Sequence, residues 1–383
     1  MPDVLAILAR LVAFDTTSRD SNLALIDYVE SLLGPLGVTA TRVASPDGAK
    51  ANLYATIGPR VEGGIVLSGH TDVVPVDGQA WTSHPFTLTE RDGRLYGRGT
   101  CDMKGFLALA LAASPGFAQA KLARPVHLAF SYDEEVGCLG APSMIAEIVR
   151  HVPRPAAVIV GEPTRMEVVN GHKGILSYIV TVTGHEAHSS LTHLGLSANM
   201  VAIRLLHRLA EIAEALERNA DPASPFMPPH PTLTVGQING GTAVNILARE
   251  CVFAFDLRCP PRVDPQTILA PFLVEAEALD ADMKARFAET GVAIVRRSAT
   301  PAFGPEPGGE GERIARALAG DNGPPRVVPY AAEAGQFQEA GFSVAICGPG
   351  SIEQAHQPDE YVELAQIQRG ATFMIRLGEM LRS

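Results

Sequence analysis

The sequence predicts an α/β protein: a mostly parallel sheet covered by helices, with a smaller ferredoxin-like α+β domain inserted into it. Two observations carry this. Short apolar runs recur and end in polar residues, with helical stretches between them, as expected of strands buried on both faces of a parallel sheet. Mid-chain, the pattern changes to alternating strands and long amphipathic helices in the order β-α-β-β-α-β. The length of 383 residues is enough for about two domains, because single cores rarely exceed about 250–300 residues.

The elements follow in order. Val4, Leu5, Leu8, Leu11 and Val12 have helical spacing, and this helix stops before Asp15-Thr16-Thr17-Ser18; a second periodic stretch runs from Leu23 to Leu36. Four apolar runs then read as buried strands: Ile65 to Ser68, Val126 to Phe130, Ala157 to Val160 and Val344 to Ile346. Lys104 to Ala113 and Ala141 to Arg150 read as helices between them. In the middle, Leu176 to Val182 alternates like a half-buried strand, and Ser197 to Arg218 forms an amphipathic helix with Met200, Ile203, Leu206 and Leu209 on one face. Strands at Thr232 to Val235 and Cys251 to Leu257, a helix after the cap-like Asp264-Pro265, and a strand at Val292 to Val295 complete the insert. The expected division is residues 1–173 and 299–383 for the large domain and 174–298 for the insert, with the Pro-rich Asp221 to Pro231 as a loop.

Composition narrows the classes of function. Lys+Arg total 31 against 42 Asp+Glu, a net charge of −11, and the pI near 5.5 argues against nucleic acid or an anionic membrane surface as a partner. The longest wholly apolar stretch, Phe106 to Ala113, is too short to span a bilayer. Asp3, Arg10 and Asp15 interrupt the N-terminal apolar residues, which leaves no signal-peptide core. The five scattered cysteines (Cys101, Cys138, Cys251, Cys259, Cys347) include no CxxC pair, so neither a disulfide framework nor a Cys-rich zinc site is expected. These features predict a cytoplasmic soluble protein.

Ligands of open parallel sheets bind beyond the carboxyl ends of the strands. Those ends carry His70, Asp72, Glu134, Glu135 and Glu162; Asp102 sits in the Gly-rich turn Gly97 to Asp102, and His356 follows the last strand. Each alone has an ordinary explanation. Together, carboxylates on one rim would repel strongly unless a bound divalent cation neutralised them. Two imidazoles and three carboxylates without a thiolate suit Zn²⁺, Co²⁺ or Mn²⁺. Five protein ligands exceed the need of one open catalytic zinc, whereas two ions sharing a carboxylate, with Asp102 as a suitable bridge, would use them all. Asp72, two residues after His70, is expected to accept the second imidazole N–H. One of Glu134 and Glu135 can bind metal while the other stays free as a base.

This constellation resembles the M20 family of metallo-aminoacylases and peptidases, through SGHTDVVP (68–75), GRGTCDMKG (97–105), DEE (133–135), GEPT (161–164) and AHQPDEY (355–361). Within the family, WTSHPFTLTERDGRLYGRGTCDMKG (81–105), GEPTRMEVVNGHKG (161–174) and GPGSIEQAHQPDEYVE (348–363) are most similar to the acetylornithine deacetylase branch. The resemblance implies a zinc-exopeptidase-like catalytic domain with an inserted lid and dimerisation domain. It implies that His70 and Glu162 bind one zinc, Glu135 and His356 the other, and Asp102 both. Glu134 would be the general base and a water between the ions the nucleophile. It further implies an oxyanion donor from the insert, often of the partner subunit; by position this is His188, flanked by His185 and His193. Asn245 and Arg258 resemble substrate-holding positions, and Glu333 resembles an acid that could pair with a cationic side-chain amine. The substrate implied is a small N-acyl amino acid, N2-acetyl-L-ornithine first, with other N-acyl amino acids, succinyl-diaminopimelate or dipeptides as sibling alternatives, and the assembly implied is a homodimer.

Overall fold

The computed structural model describes residues 4–382; the expected domain ends at residues 1–3 and 383 lie outside the described residues. The chain divides into two compact units. One comprises the chain up to Gly171, Pro305–Val327 and the stretch from Ala332 on; the other comprises His172–Gly304 and Val328–Ala331.

The large unit begins with helices α1 (Val4–Val12) and α2 (Leu23–Leu33), then strands β1 (Ala40–Ala44), β2 (Ala51–Ile57), β3 (Ile65–His70), β4 (Thr89–Arg91) and β5 (Arg94–Tyr96). Helix α3 (Lys104–Gln119), β6 (Val126–Ser131), α4 (Ala141–His151) and β7 (Ala157–Pro163) follow. The second unit holds β8 (Gly174–Thr183), α5 (Ala198–Arg218), β9 (Thr232–Gly240), β10 (Glu250–Cys259), α6 (Pro265–Arg286) and β11 (Gly291–Thr300). The chain then supplies α7 (Glu310–Ala319), α8 (Ala334–Glu339), β12 (Val344–Gly348), β13 (Tyr361–Glu363) and α9 (Leu364–Met380).

Six strands of the large unit form a sheet in the order β1-β2-β6-β3-β7-β12. Strand β3 is parallel to β6 and β7, and β12 is parallel to β7. These are the four expected apolar runs, and every residue of β3, β6, β7 and β12 is buried. The sheet is mixed, however, because β1 and β2 extend it antiparallel at one edge. Strand β1 has no apolar run to announce it: an edge strand with mostly exposed or half-buried residues does not need one. Helix α3 is apolar on all sides and buried along most of its length, as a helix packed between layers must be. It runs past the expected end at Ala113 and through Pro115 to Gln119, because one lost backbone hydrogen bond is outweighed by the burial of Phe117. The β4–β5 hairpin turns on Asp92-Gly93, with φ of 50° and 73°; Asp-Gly is the residue pair such two-residue turns favour.

The second unit has the ferredoxin-like order β11-β8-β10-β9, with every neighbouring pair antiparallel. The expected Asp264 cap is present: its Oδ1 accepts the Gln266 N–H at 2.9 Å and Pro265 opens the helix. One expectation is corrected. The stripe of α5 that packs is Ala198, Ala202, Leu205 and Leu209, whereas Met200 and Ile203 are 63% and 55% exposed. The two alanines let the helix lie close on the sheet, which turns the larger side chains outward. Among the described residues, no helix is long and apolar enough to cross a membrane.

Phe253 is wholly buried on β10 at the centre of the second unit's core. Phe253→Ala is expected to cost about 3–5 kcal/mol, read as a lower urea midpoint for that unit's unfolding.

Candidate metal centre

The site is built from the residues that stop the strands of the parallel half. His70 is the last residue of β3, Glu162 lies next to the end of β7, and Glu134 and Glu135 follow β6. Gly161 is required beside Glu162, since a Cβ there would lie 2.0 Å from the Phe106 ring. Asp102 comes from the turn before α3, and His356 from the loop after β12.

These side chains converge in two groups that share Asp102. His70, Asp102 and Glu162 form one, and Asp102, Glu135 and His356 the other; within each, the candidate ligand atoms lie within 4.8 Å of one another. His70 Nε2 is 3.0 Å from Asp102 Oδ1 and 3.9 Å from Glu162 Oε1. His356 Nε2 is 3.4 Å from Asp102 Oδ2 and 3.0 Å from Glu135 Oε2. The two oxygens of Asp102 thus face different groups. His70, Asp102 and Glu162 are buried, while the His356 side chain is 51% exposed. Oε1 of Glu135 and of Glu162 are buried without a hydrogen-bond partner, a costly state for a carboxylate oxygen. The donor set and these orphaned oxygens fit divalent cations. Glu134 belongs to neither group; its Oε1 accepts from the Cys138 thiol at 3.3 Å.

The electrostatics follow from crowding. Burial pushes Glu162 and Glu134 well above the ordinary carboxylate range, and neighbouring acids add to it. Burial and Asp102 raise Glu135 to about 7. Hydrogen bonds to Asp102 and Glu135 raise His356 to about 11. Burial would lower His70, but the bond to Asp102 and the charges of Glu134 and Glu162 hold it well above its usual value. Asp102 alone moves down: against its burial, the hydrogen bonds from His356 and His70 favour the carboxylate.

Two residues take positions other than those expected. The Asp72 carboxylate does not hold the imidazole: its Oδ1 is 3.6 Å from His70 Nδ1, and that nitrogen is bonded to the Asp72 backbone carbonyl at 2.9 Å. The carboxylate instead accepts the N–H groups of Glu134 and Glu135 at 3.1 and 3.2 Å and the Ser18 hydroxyl at 2.7 Å. It therefore fixes the turn that carries both glutamates. Glu333 is the second correction. It is 1% exposed, and its two oxygens accept from Ser68 at 3.1 Å and from Ser131. A carboxylate enclosed and satisfied in this way does not present itself to a substrate amine. The roles of Ser18, Ser68 and Ser131 have no signature in the sequence, because single serines form no pattern.

His188, Asn245 and Arg258 lie in the second unit. His188 and Asn245 are exposed on adjacent loops, with the Asn245 carbonyl accepting the Ser189 N–H at 3.0 Å. Nδ1 of His188 accepts from the Ser190 N–H and hydroxyl, which leaves the proton on Nε2. His185, by contrast, is held by Glu289 and stacked on Phe287. Arg258 donates through Nε to Asp256 at 3.0 Å on the same strand.

A strand-end site of imidazoles and carboxylates on a mixed α/β sheet defines a hydrolase of the metallopeptidase kind, and residues 66–379 match the family described as Peptidase family M20/M25/M40. The chain belongs to this family. It is 36% identical to an acetylornithine deacetylase of Proteus mirabilis, covering 96% of this chain and 92% of the relative. It is 37% identical to one of Myxococcus xanthus, covering 98% and 97%. Among solved structures, an M20 family metallo-carboxypeptidase from Sulfolobus solfataricus shares the fold with a TM-score of 0.77 at 19% identity, covering 100% of both chains. A dinuclear metal binding peptidase of the M20 family from Bacillus subtilis gives 0.66 at 13%, covering 99% and 97%.

With four of the five candidate ligand groups shifted upward, an ion entering the site is expected to displace protons. Metal affinity is therefore expected to rise with pH between about 6 and about 8, by about tenfold per unit for each proton displaced. Competition titration with a chromophoric chelator measures this; an affinity flat over that range would contradict the assignment.

Proposed function

We propose that this protein hydrolyses N2-acetyl-L-ornithine to L-ornithine and acetate, a step in arginine synthesis, at a centre of two divalent cations. The observation that carries the reading is the pair of ligand groups joined at Asp102, with Glu134 beside them and in neither. The near-full-length similarity to proteins named acetylornithine deacetylase supports the choice of substrate. His70 and Glu162 would hold one ion, Glu135 and His356 the other, and Asp102 both. Zinc suits this donor set, and cobalt or manganese would fit as well. When bound, such ions lower the pKa of an attacking water and polarise the acyl carbonyl.

The chain's own residues do the rest. Glu134, made more basic by burial among acids, takes the proton of the attacking water and returns it to the departing amine. Asp72 keeps Glu134 in place through its backbone N–H. His188 offers its Nε2–H to the oxyanion. Arg258 provides a planar fork for the substrate carboxylate, and Asn245 an amide beside it. The second unit acts as lid and as the surface through which two copies pair. Met200 and Ile203 support the pairing, being large apolar residues left exposed along one side of α5. The five buried free cysteines are in keeping with the cytoplasmic location expected from the sequence.

The deciding assay is amine release by metal-reconstituted protein from N2-acetyl-L-ornithine, with acetyl-methionine, N-succinyl-diaminopimelate and dipeptides alongside. Preference for acetylornithine is the expected result; activity on another member alone moves the protein to a sibling branch. Glu134→Gln is expected to keep its metal content and lose about 10²- to 10⁴-fold in kcat. Equal loss of metal in that variant would count against Glu134 as the base. Met200→Glu with Ile203→Glu is expected to yield monomers in sedimentation velocity, whereas the unaltered protein is expected to sediment as a dimer.

A further inference from the structure

Behind the ligands lie two buried charged side chains that bind no substrate and no ion in this reading. Arg98 and Glu360 are each 1% exposed, and Nη1 meets Oε2 at 2.7 Å. A buried ion pair is costly to desolvate, and its attraction offsets that cost only when further hydrogen bonds complete it. Here the further bonds lead to the metal ligands. Oε2 of Glu360 accepts the Gly99 N–H at 3.0 Å, and Oε1 accepts those of Cys101 and Asp102 at 2.9 and 3.1 Å. The Glu360 carbonyl accepts the Gly97 N–H at 2.9 Å. The whole turn presenting Asp102 is thus fastened to one carboxylate that follows His356 by four residues.

Arg98 reaches the same loop from its other side. Nη1 donates to the Gln357 carbonyl at 3.3 Å and Nη2 to Gln79 Oε1 at 2.6 Å. The Gln79 amide in turn donates to the His356 carbonyl at 3.0 Å. His356 has φ of 62°, a left-handed conformation that a non-glycine residue keeps only when its surroundings impose it. His70 and Glu162 stand on buried strands, whereas the loop of His356 has no such support.

We infer that Arg98 and Glu360 are positioning residues that hold Asp102 and His356 in register, and so fix the ion position that includes His356. The inference rests on the two-ion reading above. Removing the carboxylate loosens the turn of Asp102 and, through Arg98, the loop of His356. The His356 position loses support at two of its three ligands and the His70 position at one, so the His356 position weakens far more.

Cobalt(II) titration of the metal-free, full-length protein, followed by visible absorption and calorimetry, tests this. The unaltered protein is expected to bind two cobalt ions. Glu360→Gln is expected to bind one of them nearly as before and the other about 10- to 100-fold more weakly, with an altered visible spectrum. A double variant, Arg98→Met with Glu360→Leu, separates positioning from stability. Removing both charges is expected to return the thermal midpoint towards that of the unaltered protein, yet the turn still lacks its acceptor, so the second ion stays weak. Two ions bound within about twofold of normal in Glu360→Gln, or full recovery of both affinities in the double variant, would overturn the inference and leave the two-ion reading standing. Failure of the unaltered protein to bind two ions would overturn both.

Discussion

Four carboxylates crowded onto one rim of a buried sheet govern this structure. Asp102, Glu134, Glu135 and Glu162 meet there, with His70 and His356 as cationic partners. Such an arrangement repels itself unless protons or cations balance it. The raised pKa values of Glu134, Glu135 and Glu162, and the lowered one of Asp102 between two imidazoles, are that constraint written group by group. A site that must take up protons when empty is also one poised to exchange them for divalent ions.

Holding the acids together is the task of the surrounding backbone. The parallel strands β3 and β7 supply the rigid half, with Gly161 allowing Phe106 to pack directly on β7 next to Glu162 in the chain. The loop-borne half uses a single device twice. A buried carboxylate gathers consecutive backbone N–H groups: Asp72 for the turn of Glu134 and Glu135, Glu360 for the turn of Asp102. Charge-assisted bonds of this kind are stronger than neutral ones and direct a loop without occupying the site itself. Glu333 works in the same buried layer, joining β3 to β6 through Ser68 and Ser131.

The second unit shows how apolar pattern and apolar packing can part. Helix α5 carries two stripes, and small residues decided which one faces the sheet. The stripe left outside, with Met200 and Ile203, is large for a surface that stays in water, which is why the proposed assembly uses it.

Much of this was legible in the residues alone. Apolar runs ending in polar residues identified β3, β6, β7 and β12, and with them the rim where His70, Glu134, Glu135 and Glu162 stand, because strand burial and strand ends leave a one-dimensional trace. The chemistry of the donor set was legible for the same reason, since residue type alone separates imidazole and carboxylate from thiolate. Tertiary structure decided the rest. Glu333 became an internal clamp, the Asp72 carboxylate turned from His70 to the backbone of Glu134 and Glu135, β1 and β2 joined as an antiparallel edge, and Arg98 found Glu360 across 262 positions of chain. Each of these depends on which distant groups exclude water from a side chain and which donors then remain to satisfy it, and no local pattern of residues records that.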